Sequence, residues 1–345
     1  MPTPTTSCLL ARFTQTAAAL AALATLAACV GEISTGNGEG SGSGSGSGSG
    51  DTIAFDEYLA ARFDAECVSA TACDFFPDLE TCKLARFRDP GREQTIVHAV
   101  DAGTLVYDPA AAARCIAETR VMSCAFSGFH ATAAELACAD VLTGTLALGD
   151  TCSIDDECAD DGVCQPLDSQ CYPFDTCCIG RCVRPERMPV ALGASCANNE
   201  YCQDSYCEPE TLRCTPLITT PGAPCTTGDA CANPMVCDVT PDLPTSTCRM
   251  PSARGEPCDP AVFVPCADVR DYCNETTLVC TRMATLGDSC ATDPCVWDTS
   301  CVAGECVPRL LPGQACGDTT ASCLGEAGCF DNGRCEFPAP TVACP

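Results

Sequence analysis

Two spacing patterns divide the chain. Between residues 51 and 148 apolar side chains recur at helical intervals: Phe55, Leu59, Phe63 and Cys67 follow at i, i+4 and mark one face of an amphipathic helix. A second helix is expected over Pro77–Phe87. Asp108-Pro109 sets a capping carboxylate before a proline at the first helical position, opening an alanine-rich helix through Cys115 to Cys124. Thr132-Ala133-Ala134-Glu135 has the form of a capping box ahead of Leu136 and Cys138. The expectation is four short helices tied by Cys67, Cys73, Cys82, Cys115, Cys124 and Cys138, whose fifteen pairings spacing alone does not separate.

From residue 149 onward the period belongs to cysteine. Six times a glycine stands three residues before a cysteine that opens a block of four: Gly149/Cys152, Gly193/Cys196, Gly222/Cys225, Gly255/Cys258, Gly287/Cys290 and Gly313/Cys316. The blocks read Cys152, Cys158, Cys164, Cys171, then Cys196, Cys202, Cys207, Cys214, then Cys225, Cys231, Cys237, Cys248. They continue Cys258, Cys266, Cys273, Cys280, then Cys290, Cys295, Cys301, Cys306, and finally Cys316, Cys323, Cys329, Cys335. Each block is too small to fold on apolar burial, so two disulfides must stand in for a core. The glycine supplies a turn with positive φ at each entrance. Turns and short two-stranded ribbons, without a sizeable sheet, are expected. Cys177, Cys178, Cys182 and Cys344 fall outside the pattern, and their even number permits closure, with Cys344 pairing back into the first block's extension.

The segment before the helices is of another kind. Ala17–Ala28 is a twelve-residue run of Ala and Leu with one Thr, too short to span a bilayer and of the length of a signal-peptide core. It ends in Leu26-Ala27-Ala28-Cys29, which resembles the lipobox of bacterial lipoproteins, with Cys29 as the acylated residue. From Gly31 the chain turns small and polar and becomes a strict Ser-Gly repeat over Ser41–Gly50. Such a tract buries nothing and behaves as a slack coil with a reach of about 25 Å for twenty residues. The division is therefore a signal peptide over 1–28, a lipid-anchored linker over 29–50, a helical six-cysteine domain over 51–148 and six modules over 149–345. Val30, following Cys29, is not the Asp that commonly marks inner-membrane retention, which points to the outer membrane.

Composition sharpens the picture. Of 345 residues 36 are Cys, a density that needs an oxidising compartment and reads as a disulfide scaffold. The formal net charge is −28, and Lys83 is the only lysine. A polyanion repels phosphate backbones, so nucleic acid is a poor partner.

The block spacing, with glycine before the first cysteine, resembles the Dickkopf N-terminal cysteine-rich repeat. The whole layout resembles a group of bacterial cysteine-rich lipoproteins that join a lipobox, a low-complexity leash, a helical six-cysteine region and tandem repeats. The helical region of that group contains a Tyr-Asp-x-Ala-x-Ala stretch, here Tyr107-Asp108-Pro109-Ala110-Ala111-Ala112 before Cys115 and Cys124. The resemblance implies architecture and anchoring; it implies no activity.

Catalytic chemistry is sparse. His98 and His130 are the only histidines, and neither lies in a His-Glu-x-x-His arrangement. No two cysteines are separated by two residues, which removes thioredoxin-type motifs and most zinc-knuckle spacings. Cys177-Cys178 invites a vicinal bridge, against which stands the expectation that each pairs elsewhere. Asp155-Asp156-Glu157 with Asp160-Asp161-Gly162 fails the EF-hand register, because Cys158 and Ala159 fall where oxygens are needed. Trp297, the sole tryptophan, either anchors an interface or covers its own bridge. Asn274-Glu275-Thr276 matches a glycosylation sequon that bacteria generally do not read.

The fold expected is thus a set of small disulfide-rich repeats with short β-ribbons, preceded by a small disulfide-tied all-α domain. The function expected is non-catalytic binding or adhesion on a bacterial surface, with a protein or glycan ligand, a membrane contact through the lipid and no cofactor. The modules are expected to be displayed as a rod, and a purely structural spacer or coat and an enzyme in the helical head using His98 or His130 are the alternative readings.

Overall fold

A computed structural model describes residues 52–345 except 127, 129, 175, 186–188, 198–200, 239–245, 261–264 and 318–320. The lipobox with Cys29 and the Ser-Gly tract lie outside the described residues. The described part is rich in disulfides, with five α-helices between residues 55 and 139 and short strands in sheets of two or three.

Helix α1, Phe55–Ala72, carries Asp56 and Glu57 in its first turn, where carboxylates favour the helix dipole. Its fully buried face is Tyr58, Ala65, Cys67, Ser69 and Ala70. The expected stripe is rotated: Phe55, Leu59 and Phe63 are half-buried on its flank. Phe55 lies against Tyr107, and Phe63 lies under the Arg88 guanidinium. Helix α2, Leu79–Ala85, is capped by Asp78, which accepts from Thr81 N at 2.7 Å.

Helix α3, Pro90–Ala102, is a fifth helix that the apolar spacing does not announce. Asp89 caps it with proline at N1, and Gly103 ends it at φ 76°. Helix α4, Pro109–Arg120, has the expected cap, with Asp108 Oδ1 accepting from Ala110 N and Ala111 N at 2.8 and 3.0 Å. It stops at Arg120, short of Cys124. Helix α5, Ala133–Ala139, begins with the expected capping box between Thr132 and Glu135.

The head is not purely helical. Strand β1, Leu105–Tyr107, pairs antiparallel with strand β2, Leu142–Gly144, and joins the two helical halves. Cys67–Cys82 ties α1 to α2, Cys115–Cys138 ties α4 to α5, and Cys73–Cys124 ties their far ends. Tyr58, Ala65, Ala111, Ala112, Ile116 and Val141 pack around the α4–α5 bridge. Alanine at these contacts lets the helices approach closely.

One connectivity recurs through all six repeats, first cysteine to third and second to fourth. It gives Cys152–Cys164 with Cys158–Cys182, Cys196–Cys207 with Cys202–Cys214, and Cys225–Cys237 with Cys231–Cys248. It continues as Cys258–Cys273 with Cys266–Cys280, Cys290–Cys301 with Cys295–Cys306, and Cys316–Cys329 with Cys323–Cys335. The first block therefore needs correction: its fourth cysteine is Cys182, and Cys171 belongs to an inserted loop.

Backbone geometry explains the choice. In every repeat the entrance glycine has positive φ, from 80° at Gly222 to 95° at Gly149. Its N–H donates to the carbonyl of the fourth cysteine, as from Gly149 to Cys182 and from Gly287 to Cys306. A side chain closes the same turn in four repeats: Asp150, Glu256, Asp288 and Gln314 accept from the amide three residues before them. The residue opening each turn also pairs in parallel with the second cysteine, as Leu146 with Cys158 and Leu310 with Cys323. The chain linking two repeats is thus part of the later one.

The modules do not extend as a rod. Leu311 and Leu324 of the last repeat join the apolar cluster of Phe76, Cys82 and Ala85, and Ile154 of the first packs on Ile96, Ala99 and Leu105. Phe126 N donates to Ala267 O, and Val269 N donates to Cys124 O. Arg270 and Arg282 reach Asp74 at 3.1 and 3.3 Å. Helices of seven residues leave apolar surface uncovered, and the folded-back modules supply the cover.

Candidate functional site

The segment 341–344 is the point where head and array are locked. Thr341 N donates to Asp89 Oδ1 at 3.0 Å, and Cys344 N donates to Thr95 Oγ1 at 2.9 Å. The Cys344 carbonyl accepts from His98 Nδ1 at 2.6 Å, while Val342 N donates to Pro173 O. Cys344 is bonded to Cys177, and Cys178 to Cys171, so the adjacent cysteines each pair elsewhere. A Cβ on Gly91 would stand 1.7 Å from the Thr341 carbonyl oxygen, so only glycine admits the segment here. A cavity of about 310 Å³ lies beside this clasp, with the Arg92–Asp156 ion pair (3.3 Å) and the Cys171–Cys178 bridge on its wall.

The other residues singled out by their chemistry are held in structural roles. His130 Nε2 faces the carbonyls of Asp229 and Cys231 at 3.0 and 3.1 Å, and its carbonyl accepts from Asn233. Trp297, 38% exposed, packs on Phe75 of the head at 5.7 Å and donates to Val269 O. Its role is to join array and head rather than to cover a bridge. Asn274 Nδ2 donates to Tyr272 OH at 3.0 Å and its Oδ1 accepts from Thr276 N and Thr277 N, so the sequon amide is engaged. In the acidic run Asp155 accepts from Cys164 N, while buried Glu157 accepts from Thr104 Oγ1, Ser153 N and Ile154 N. These carboxylates cap backbone and hold the first repeat to the head.

Sulfur atoms gather in threes, as at Cys152, Cys158 and Cys182 or Cys225, Cys231 and Cys237, all within 4.8 Å. Each is already bonded to sulfur, and metal coordination requires thiolate. The clustering reflects two stacked bridges per repeat.

One concave surface in the head has a different character. A cleft of about 450 Å³ opens between α1, α4 and α5, with Arg62, Glu66, Ser69 and Arg86 on one side and Thr119, Met122, Ala134, Glu135, Cys138 and Ala139 on the other. Arg62 Nε donates to Glu66 Oε1 at 3.1 Å, and Arg62 Nη1 donates to Tyr58 OH at 3.4 Å. Burial raises the Tyr58 phenol above its ordinary range despite the nearby Arg62 charge. Arg86 is mostly buried and paired with two acids, its Nη1 3.0 Å from Glu66 Oε2 and its Nε 3.8 Å from Glu326 Oε1. Nothing in the spacing of the sequence brings these residues together; the Cys67–Cys82 and Cys115–Cys138 bridges do.

At the head–array seam, burial pushes Asp268 upward, but hydrogen bonds from the Arg270 side chain and backbone and the charges of Arg270 and Arg282 outweigh it. The carboxyl is held below its usual range. Comparison with models of protein families, with curated proteins and with solved structures finds no match.

Proposed function

We propose that the chain is an exported, lipid-anchored surface protein that acts by binding and performs no catalysis. Cys29 carries the lipid, residues 30–50 form the leash, and residues 52–345 present a disulfide-locked body outside a bacterial outer membrane. One observation carries this reading: all thirty-four cysteines among the described residues pair into seventeen disulfides. Pairing on that scale belongs to an oxidising compartment.

Further support comes from the repeats, whose common pairing and entrance turn fit kinship with the tandem Dickkopf-like modules of bacterial cysteine-rich lipoproteins. Both histidines are engaged with backbone carbonyls, which leaves little for acid–base catalysis. Among the described residues no helix is long and apolar enough to cross a membrane. The proposed hold on the bilayer is the lipid alone, and Cys29→Ser tests it. The variant should lose labelling by an alkyne fatty acid and leave the membrane fraction. Unlabelled wild-type protein, or a variant that still pellets with membranes, would overturn the anchor. Protease added to intact cells should cleave the leash; protection of the leash would place the body on the periplasmic side.

A further inference from the structure

We propose that the insert of the first repeat is a reductive latch, in which the Cys171–Cys178 bridge is the entry point for opening the clasp bridge Cys177–Cys344. This goes beyond the binding role above and does not depend on a lipid at Cys29.

Three observations carry it. The two bridges end on adjacent residues, so a thiolate freed at Cys178 stands beside the Cys177 end of the clasp. Cys171, Cys178 and Cys344 all line the one cavity of about 310 Å³. Access is unequal: Cys171 and Cys178 are each partly exposed, whereas Cys344 is only 4% exposed. A reductant from solvent thus meets the outer bridge, while the buried sulfur of the clasp is better reached from within.

Neither bridge belongs to the core of a repeat. The first repeat keeps Cys152–Cys164 and Cys158–Cys182 when the insert is reduced, so the latch opens without dismantling a module. Cys171–Cys178 closes a separation of only seven residues, and so short a loop restrains the unfolded chain least.

The sequence of bonds is as follows. A dithiol attacks the Cys171 sulfur, the bond to Cys178 breaks, and Cys178 leaves as thiolate. The second thiol of the reductant displaces Cys171, and the reductant ends as its own disulfide. Cys178 then attacks the Cys344 sulfur: a Cys178–Cys344 bond forms, the Cys177–Cys344 bond breaks, and Cys177 leaves as thiolate, with no net oxidation. A second dithiol reduces Cys178–Cys344. Two dithiols become two disulfides, and their four protons end on four cysteine thiols. Residues 341–344 are then held by non-covalent contacts alone, among them the hydrogen bonds to Asp89 and Thr95, and are free to leave the head.

The experiment uses the full chain carrying Cys29→Ser, so that Cys29 offers no thiol. Adding Cys171→Ser leaves Cys178 without its partner, and exchange should then proceed with no reductant present. Maleimide labelling and disulfide mapping by mass spectrometry should find the free thiol at Cys177 as well as Cys178, with a Cys178–Cys344 bridge. Label confined to Cys178 overturns the latch.

A kinetic arm stands on its own if Cys171→Ser fails to form the other bridges. Under dithiothreitol, the Cys344 thiol should appear at least about tenfold more slowly in Cys171→Ser/Cys178→Ser than in the protein with both cysteines, because the neighbouring nucleophile is gone. Equal rates would mean that the clasp is reduced directly from solvent, and the latch falls.

Discussion

Removing the clasp bridge with Cys177→Ser and Cys344→Ser is the sharpest test of how the array is held. The bridge spans 167 residues. One bridge in each of the five following repeats already shortcuts that span, leaving about 100 residues of free contour in the unfolded chain. Chain entropy for a loop of that size gives about 4.7 kcal/mol, while single disulfides usually contribute about 2–4 kcal/mol. The expected loss is therefore about 2–5 kcal/mol. The hydrogen bonds from Thr341 N to Asp89 and from Cys344 N to Thr95 remain possible, at about 1 kcal/mol each.

Urea denaturation with the other bridges intact should show a lower midpoint and a steeper slope, because the unfolded chain expands. Hydrogen exchange at Val342 and Cys344 should accelerate, while α1 and α4 keep their protection. A loss under about 1 kcal/mol with unchanged exchange would mean that the clasp segment is held by its non-covalent contacts, and the entropy argument fails.

Three further outcomes follow from particular contacts. Gly91→Ala should destabilise the protein although alanine is the better helix former by about 1 kcal/mol, because the new Cβ meets the Thr341 carbonyl; a raised melting temperature would refute the close approach. Gly255→Ala meets no neighbouring atom and should cost only the backbone strain at φ 81°, about 1–2 kcal/mol, with Gly255→Asn costing less; equal melting of all three proteins would remove the turn argument. Asp268 has a depressed folded pKa, so its stabilisation is present above the unfolded value of about 3.9 and is lost as pH falls through the lower folded value. Trp297 fluorescence should report that loss as a red shift on acidification, already present at neutral pH in Asp268→Asn; a signal insensitive to both would show the seam is held by apolar contact alone.

Local signals were legible wherever the physics is local. The Asp108 cap, the Thr132–Glu135 box and the six entrance glycines each act within a few residues and stand where the sequence placed them. Helix α3 carries the same Asp-Pro opening, at Asp89-Pro90, but its buried residues are only Gly91, Thr95, Ile96 and Ala99, too weak a stripe to register as periodic. The fourth cysteine of the first repeat was misread because Cys171 has the right spacing, while the decisive observation is a hydrogen bond from Gly149 to Cys182 across the intervening insertion. The cleft and the seam were invisible because Arg62, Arg86, Met122 and Glu135, like Asp74 and Arg270, are brought together only by tertiary closure. Leu324, 3% exposed, looks like a module residue in sequence and serves as part of the head's core.

The bond between Cys177 and Cys344 also imposes an order of events during synthesis. Cys177 emerges 167 residues before its partner, which at about 5–20 residues per second means a wait of roughly 8–35 seconds. Throughout that interval it sits beside Cys178, whose own partner Cys171 is already at hand, and every repeat that emerges brings four more thiols within reach. The correct pairing is thus an exchange problem in which early, wrong bridges must be undone by thiolate attack. Such connectivity favours folding where bridges can be exchanged, and a chain that stops before Cys344 leaves Cys177 without its partner, marked as unfinished by its own chemistry.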